Sequence, residues 1–484
     1  MHVSEQGILR YLEDLALKAP DLPLLGGGGR WFDARTVLAF TEHIGTCLRR
    51  MGLRAGSAAA MHPDRTISSA LMLLGLRAAG VTAVLFDPRQ SHEQVLESLG
   101  TDIKITAWIE QNGKTGFTVT MPDVPDRTRA VDLYALQPAD GLPMADDPTG
   151  PAFIIFTSGS TGKSKAVVLS EWNLVSNLID SQPLGDYVFG DRAMGCLPLQ
   201  HVVGLVMLCG TAVLGYGMYL QEETGTDAIL SAVQREKLTR MNGVPSLYLA
   251  MADRCGGYDV SSLRAGFIGG GPVTDAQFAM IERKLQMTLI PVYGMSEFIG
   301  ISCADAKDPL EKRMAGVGRF YSMNTGRILK EDGSEAGPME TGEICANGPA
   351  RMLGYLGEPM AADEFLHTGD LGYLDREGVL HLNGRKKDII IRNGNNISAR
   401  KIEQALLDLP GVRDAAVVAI PDERQGEVPA AMVVTGEKID ALSPDLQKNE
   451  IPAVYKFVDA LPLTASGKPD RQRIREVLTA CRNG

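Results

Sequence analysis

The chain has 484 residues, a formal net charge of -11 and 44% hydrophobic residues, which is enough for a large core and a separate smaller module. The acidic balance argues against general binding to nucleic acid or to an anionic membrane surface, so a polyanionic ligand must meet locally concentrated cations. Seven cysteines without a C-x-x-C pair read as reduced thiols rather than a disulfide frame or a zinc site.

From the N-terminus, a charged amphipathic segment lacks the apolar core of a secretory signal, and the cytoplasm is the expected location. A strand at 57–61, a helix with apolar Ile67, Leu71, Leu74 and Ala78, and a strand at 81–86 form a first β-α-β unit. Ser91 with Gln94 makes a capping box, Gly100 can stop that helix, and 103–109 reads as the next strand. Strands at 152–156 and 166–169 flank Thr157-Ser158-Gly159-Ser160-Thr161-Gly162-Lys163-Ser164-Lys165, with a helix starting only at Ser170. Glycines let backbone N–H groups approach phosphates, the hydroxyls add donors, and the lysines add positive charge.

The uncharged stretch 202–220 approaches the length of a membrane span, but Gly204, Gly210, Gly215 and Gly217 interrupt it. It reads as a buried helix followed by a buried strand, and no membrane span is expected. The unit returns with a strand at 265–268, a helix opened by Thr274 and Gln277, and a strand at 288–293. Repeated units of this kind predict an α/β protein with mostly parallel sheets covered by helices. After about residue 340 the texture becomes short β-runs and turns, including 343–346, the Asp375-Arg376-Glu377-Gly378 turn and 379–382. A boundary falls near Lys387, dividing the chain into residues 1–386 and 387–484. Beyond it, 388–391 and the Asn393-Gly394 turn suggest a hairpin, followed by a helix at 400–409 and strands at 415–420 and 430–434. These complete a small α+β lid.

The hydroxyl-rich loop competes with the phosphate loop of nucleotide triphosphatases, G-x-x-x-x-G-K-[ST], which it matches except at Thr157. That loop should lead straight into a helix N-terminus, whereas a β-run follows here. Six further motifs occur in order: Pro198-Leu199-Gln200-His201-Val202-Val203-Gly204, Gly269-Gly270-Gly271-Pro272, Tyr293-Gly294-Met295-Ser296-Glu297, Thr368-Gly369-Asp370, Gly384-Arg385-Lys386-Lys387-Asp388 and Pro462-Leu463-Thr464-Ala465-Ser466-Gly467-Lys468. Over nearly its whole length the chain resembles the adenylate-forming superfamily of acyl-CoA synthetases, luciferases and carrier-protein adenylation domains. In motif spelling it is closest to compact acyl- or aryl-CoA ligases.

The resemblance implies a large α/β domain with a β-rich subdomain and a mobile lid. It also implies an ATP-dependent activation of a carboxylic acid to an acyl-adenylate, followed by transfer to coenzyme A or to a carrier-protein phosphopantetheine. By that resemblance, Thr157, Ser158, Gly159, Ser160, Thr161, Gly162 and Lys163 hold the β- and γ-phosphates. Glu297 helps hold Mg²⁺, an ion that favours oxygen ligands, and Ser296 approaches the α-phosphate. Gly270, Tyr293 and Gly294 surround the nucleotide, Asp370 accepts from the ribose hydroxyls, and Arg385 is its basic partner. His201 stands between acid pocket and thiol tunnel. Lys468 bridges the carboxylate and the α-phosphate, Lys387 is the hinge, and Gly394 lies beside the pantetheine channel after the lid swings.

A carboxylate is already a nucleophile at neutral pH, so alignment and charge neutralisation matter more than a general base. No F-D-x-S pattern that could hold an ammonium is present, which argues against an α-amino acid. Phe298, Ile299 and Val202 to Leu205 instead suggest an apolar acyl or aryl pocket. Departures from the family pattern are Ser164, Ala166, Gly271, Ala399 and an abbreviated segment at 436–450. Two other readings remain open on the residues: a phosphate-loop ATPase or kinase releasing ADP, and a catalytically silent nucleotide-binding protein.

Overall fold

The computed structural model of the protein describes residues 5–113, 116–122, 128–132, 147–157, 164–435, 446–463 and 469–483. Small and β-branched runs build its interior strands. Ala58–Met61, Thr82–Leu85, Ile105–Asn112 and Pro151–Thr157 lie parallel at the centre of a nine-stranded sheet, the first two fully buried. Burial on both faces is what a sheet sandwiched between helices requires, and it explains the lack of polar alternation. The Ile67–Ala78 helix joins the first two strands as the sequence predicts, and every residue of it is buried. Ser91 and Gln94 form the expected capping box at the start of His92–Leu99, and Gly100 ends that helix with φ of 60°.

A second nine-stranded sheet runs parallel through Thr288–Met295, Ala265–Ile268, Arg240–Met241, Arg192–Gly195, Gly217–Leu220 and Pro23–Gly27. The 202–220 stretch divides into the Val202–Leu214 helix and the Gly217–Leu220 strand, as expected from its glycines. No helix among the described residues is long and apolar enough to cross a membrane. A third, antiparallel sheet of four strands holds Thr325–Leu329, Gly342–Asn347, Leu366–Leu374 and Leu380–Arg385, the β-rich subdomain.

A short helical turn, Lys386–Asp388, leads out of this sheet into a five-stranded one. There Ile389–Arg392 and Asn395–Ser398 make the expected hairpin. Its two turn residues, Asn393 and Gly394, have φ of 52° and 80°, the geometry for which Asn-Gly is suited. Val412–Asp422 and Gly426–Thr435 follow, covered on one face by Ala399–Leu407 and on the other by Arg471–Asn483. These C-terminal elements bury apolar clusters of their own, around Ile390, Ile402 and Val417 on one side and Ile420, Ile474 and Leu478 on the other. The abbreviated 436–450 segment lies outside the described residues up to 445.

Candidate functional site

Pro151–Thr157 and Lys165–Ser170 are antiparallel neighbours, with Thr157 paired to Lys165. The hydroxyl-rich loop therefore connects two strands of one hairpin. The following helix, Glu171–Ser181, begins only after Ser170 caps it through a reciprocal pair with Asn173. This strand–loop–strand order is the one read from the sequence and is not that of a phosphate loop running into a helix. Residues 158–163 themselves lie outside the described residues. The helix beyond the hairpin is tied down at its first residue. Glu171 accepts from Arg77 Nε at 2.6 Å and from the Ile8 backbone N–H at 2.7 Å, and both partners are buried. Removing one partner from such a pair strands a buried charge.

A second hairpin presents the next two candidates. Thr288–Met295 pairs with Phe298–Cys303, and Met295 faces Phe298 across a two-residue turn made of Ser296 and Glu297. Gly294 must lack a side chain, because a Cβ there would overlap the Ile299 carbonyl. Phe298 is wholly buried and anchors the turn to the main core, while Ile299 is half-buried. Glu297 is itself 9% exposed and accepts a 2.9 Å hydrogen bond at Oε1 from the Tyr355 hydroxyl. Burial and then Glu297 push the Tyr355 phenol upward, so it stays a donor. Lys165 Nζ sits 4.3 Å from the centre of the Tyr355 ring, a cation–π contact. Tyr355 thus joins the end of the phosphate hairpin to Glu297, and no expectation from the sequence included it. Its only local signal is the Gly354-Tyr355 pair that adds to the Lys165–Ser170 strand.

The donor chemistry at Glu297 suits a magnesium ion. It is a hard oxygen donor, largely sheltered, with one oxygen oriented by a phenol, as carboxylates that ligate hard cations are commonly held.

Asp370 stands on a bulge. Between Gly342–Asn347 and Leu366–Leu374, Glu343 faces Leu371 and Cys345 faces His367, so the second strand carries extra residues between its two pairs. Thr368, Gly369 and Asp370 fill that bulge. Gly369 adopts φ of 70°, the Thr368 hydroxyl donates to the Ile344 carbonyl at 2.7 Å, and Gly369 N–H donates to Glu343 Oε1 at 3.1 Å. Bulges of this kind re-aim a side chain. Asp370 is 8% exposed; its Oδ2 accepts from the Tyr293 hydroxyl at 2.7 Å, and its Oδ1 lies 2.9 Å from Arg385 Nε. Asp370 and Arg385 are direct cross-strand neighbours in the register with Leu380–Arg385. Burial, and next the Asp370 carboxylate, raise the Tyr293 phenol far above its ordinary value.

The structure therefore brings Tyr293, Asp370 and Arg385 into one hydrogen-bonded group. It places Ser296 and Glu297 in the turn just past the end of the strand that bears Tyr293. Arg400 of the C-terminal part is half-buried, and its guanidinium is pushed down by desolvation, which the carboxylates of Glu403 and Asp370 partly offset. The sequence reading missed Arg400, and its only signal is a basic residue just after the Ser398 cap. Gly270, with φ of 81°, is exposed beyond the Ala265–Ile268 strand, beside the strand that bears Tyr293. His201 is the half-buried N-cap of Val202–Leu214, where Gly204 packs so closely on the Pro198 carbonyl that a Cβ could not fit. Lys387 is exposed in the connecting turn, its ammonium lowered by partial desolvation and then by Arg385. Gly394 lies at an exposed hairpin tip, with open space where a Cβ would stand, and is not gathered with the others. Lys468 lies outside the described residues.

The fold that carries the strand–loop–strand hairpin, the glutamate-tipped hairpin and the bulge-borne aspartate bonded to tyrosine and arginine is that of an adenylate-forming enzyme. The chain belongs to the AMP-binding enzyme family, whose profile matches residues 12–356, with the AMP-binding enzyme C-terminal domain matching 401–468. It is 36% identical over 365 residues to a feruloyl-CoA synthase of Amycolatopsis sp, covering 70% of this chain and 74% of that one. A 2-succinylbenzoate–CoA ligase of Bacillus cereus is 30% identical over 461 residues, covering 91% and 92% of the two chains. The o-succinylbenzoate CoA synthetase of Bacillus subtilis, solved with an acyl-adenylate intermediate, superposes with a TM-score of 0.82 at 25% identity, covering 96% of this chain and 97% of that one.

Proposed function

We propose that this protein is an AMP-forming acid–thiol ligase that activates an acyl or aryl carboxylic acid with ATP and passes the acyl group to coenzyme A. The observation that carries the reading is the Tyr293–Asp370–Arg385 group, a buried carboxylate oriented by two donors beside the glutamate-tipped hairpin. The named activities of the relatives support an aryl acid and coenzyme A as the thiol. A carrier-protein arm is the other acceptor of the same thiol chemistry. The cytoplasm is the proposed location, and the core is proposed to end at 386 with the lid spanning 387–484.

In the first step a carboxylate oxygen of the acid attacks the α-phosphorus of ATP. The bond to the bridging oxygen breaks, and pyrophosphate leaves with its electron pair. Asp370 holds the ribose hydroxyls and fixes the nucleotide along the hairpin, so that Ser296 faces the α-phosphate. The 157–163 loop donates to the outer phosphates, and Lys468 neutralises charge between acid and phosphate. A magnesium ion at Glu297 would supply neutralisation of the phosphate charge. In the second step the coenzyme A sulfur attacks the acyl carbon, and AMP leaves. Rotation at Lys387 brings Gly394 to the thiol channel for that step. Val203 and Ile299 keep part of their surface exposed and are the proposed contacts of the acid, whereas Phe298 and Leu205 are buried in the core.

The decisive test is ATP–pyrophosphate exchange across aliphatic, aryl and amino acids, run with Mg²⁺ for the wild type and for Lys468→Ala. Exchange that depends on an aryl or acyl acid and falls in the variant by on the order of 100-fold or more, with AMP released once coenzyme A is added, is the expected result. Release of ADP, or exchange untouched by the substitution, would sink the reading.

A further inference from the structure

Beside the Thr368-Gly369-Asp370 bulge, three side chains of different donor type converge. Glu343 and Cys345 are two apart on one strand and share a face. His367 is the cross-strand partner of Cys345. His367 Nδ1 lies 3.4 Å from Cys345 Sγ and 3.3 Å from Glu343 Oε2, and all three ligand atoms lie within 4.8 Å of one another. A tetrahedral zinc ion with bonds of about 2.0–2.3 Å to nitrogen, oxygen and sulfur separates its ligands by about 3.3–3.6 Å. Two edges of that tetrahedron are therefore already in place.

We propose that Glu343, Cys345 and His367 form a binding site for one divalent ion of the zinc class, with a fourth position open to solvent on the exposed His367 side. The mixed thiolate, imidazole and carboxylate set selects a borderline ion over magnesium. Glu343 can bind without releasing the bulge, because its Oε1 holds the Gly369 N–H while Oε2 faces His367. The group the ion displaces is Lys386, whose Nζ lies 3.3 Å from the same Oε2. Binding exchanges the thiol proton for the metal, with the proton passing to solvent. Lys386 adjoins the turn at Lys387, so an ion here both clamps the bulge that carries Asp370 and frees the cation next to the hinge. A C-x-x-C search could not find this site, because its ligands come from two strands in register rather than from one short segment.

The test is titration of the full-length protein with Co²⁺ alone, followed by its thiolate-to-cobalt charge-transfer absorption and by competition with Zn²⁺. The expected result is one equivalent bound with that band, lost in Cys345→Ser and in His367→Gln with affinity lower by about 100-fold or more, and retained in Cys481→Ser. His367 is exposed, so its variant should fold even where the buried Cys345 variant does not. Lys386→Ala, which removes the competing cation, should tighten binding. No charge-transfer band in the wild type, or a band that survives both ligand substitutions, would overturn the proposal.

Discussion

Asp370 has both oxygens engaged, Oδ2 by the Tyr293 hydroxyl and Oδ1 by Arg385, and is nearly closed off from water. The two donors fix the carboxylate plane, and the remaining lone pairs are the ones left for a ribose. A hydrogen bond to a charged acceptor contributes about 1.5–3 kcal/mol. Tyr293→Phe should therefore raise the Kd for an ATP analogue by about tenfold to a hundredfold while the fold persists, and equilibrium binding measures it. The pH profile adds a sign. Burial and Asp370 raise the folded phenol, so the neutral form is the stabilised one. Its contribution is complete below the ordinary tyrosine value of about 10 and is lost only as pH climbs through the raised folded value. An alkaline fall in ATP binding at pH 8–9 that vanishes in Tyr293→Phe would contradict this, because the phenol should be silent there.

The bulge and the connecting turn are the elements on which the chemistry depends, and they differ in how visible they were. Capping boxes at Ser91 and Thr274, the Asn393-Gly394 turn and the β-runs around the phosphate loop are set by residues within a few positions of one another. Sequence pattern reaches them, and the structure has each in place. The bulge and the Tyr355 bridge to Glu297 are set by register between strands far apart in the chain. No local spacing encodes them. Asp370 and Arg385 were legible only through family resemblance, and their pairing as cross-strand neighbours supplies the reason that resemblance alone lacks. The Lys386–Asp388 turn, in contrast, makes a prediction. Proline at 387 fixes φ near -65° and removes an N–H, which blocks rotation of a hinge without touching either substrate. Lys387→Pro should keep ATP–pyrophosphate exchange near wild type and cut thioester formation from supplied acyl-adenylate by on the order of 100-fold, the loss expected from misplaced reacting groups. Equal loss in both assays would remove Lys387 from the hinge role.

At the scale of the whole molecule the question is whether core and lid are separate cooperative units. The C-terminal sheet buries its own clusters around Ile402 and Ile474. Among the described residues its polar tie to the preceding sheet is slight: Ser398 Oγ donates to the Asn383 carbonyl at 2.8 Å. A boundary this sparsely bonded predicts two unfolding transitions rather than one. In the proposed site an ATP analogue meets mainly residues before 387, so at 100 times its Kd it should stabilise the larger transition by about 2.7 kcal/mol and move the smaller one little. Calorimetry of the full-length protein with and without the analogue reads both quantities at once. Two transitions of which only the larger responds would support a lid that turns as a unit. A single transition that shifts as a whole would mean that lid and core unfold together, and that the swing at Lys387 must be driven by ligand contacts rather than permitted by a weak interface.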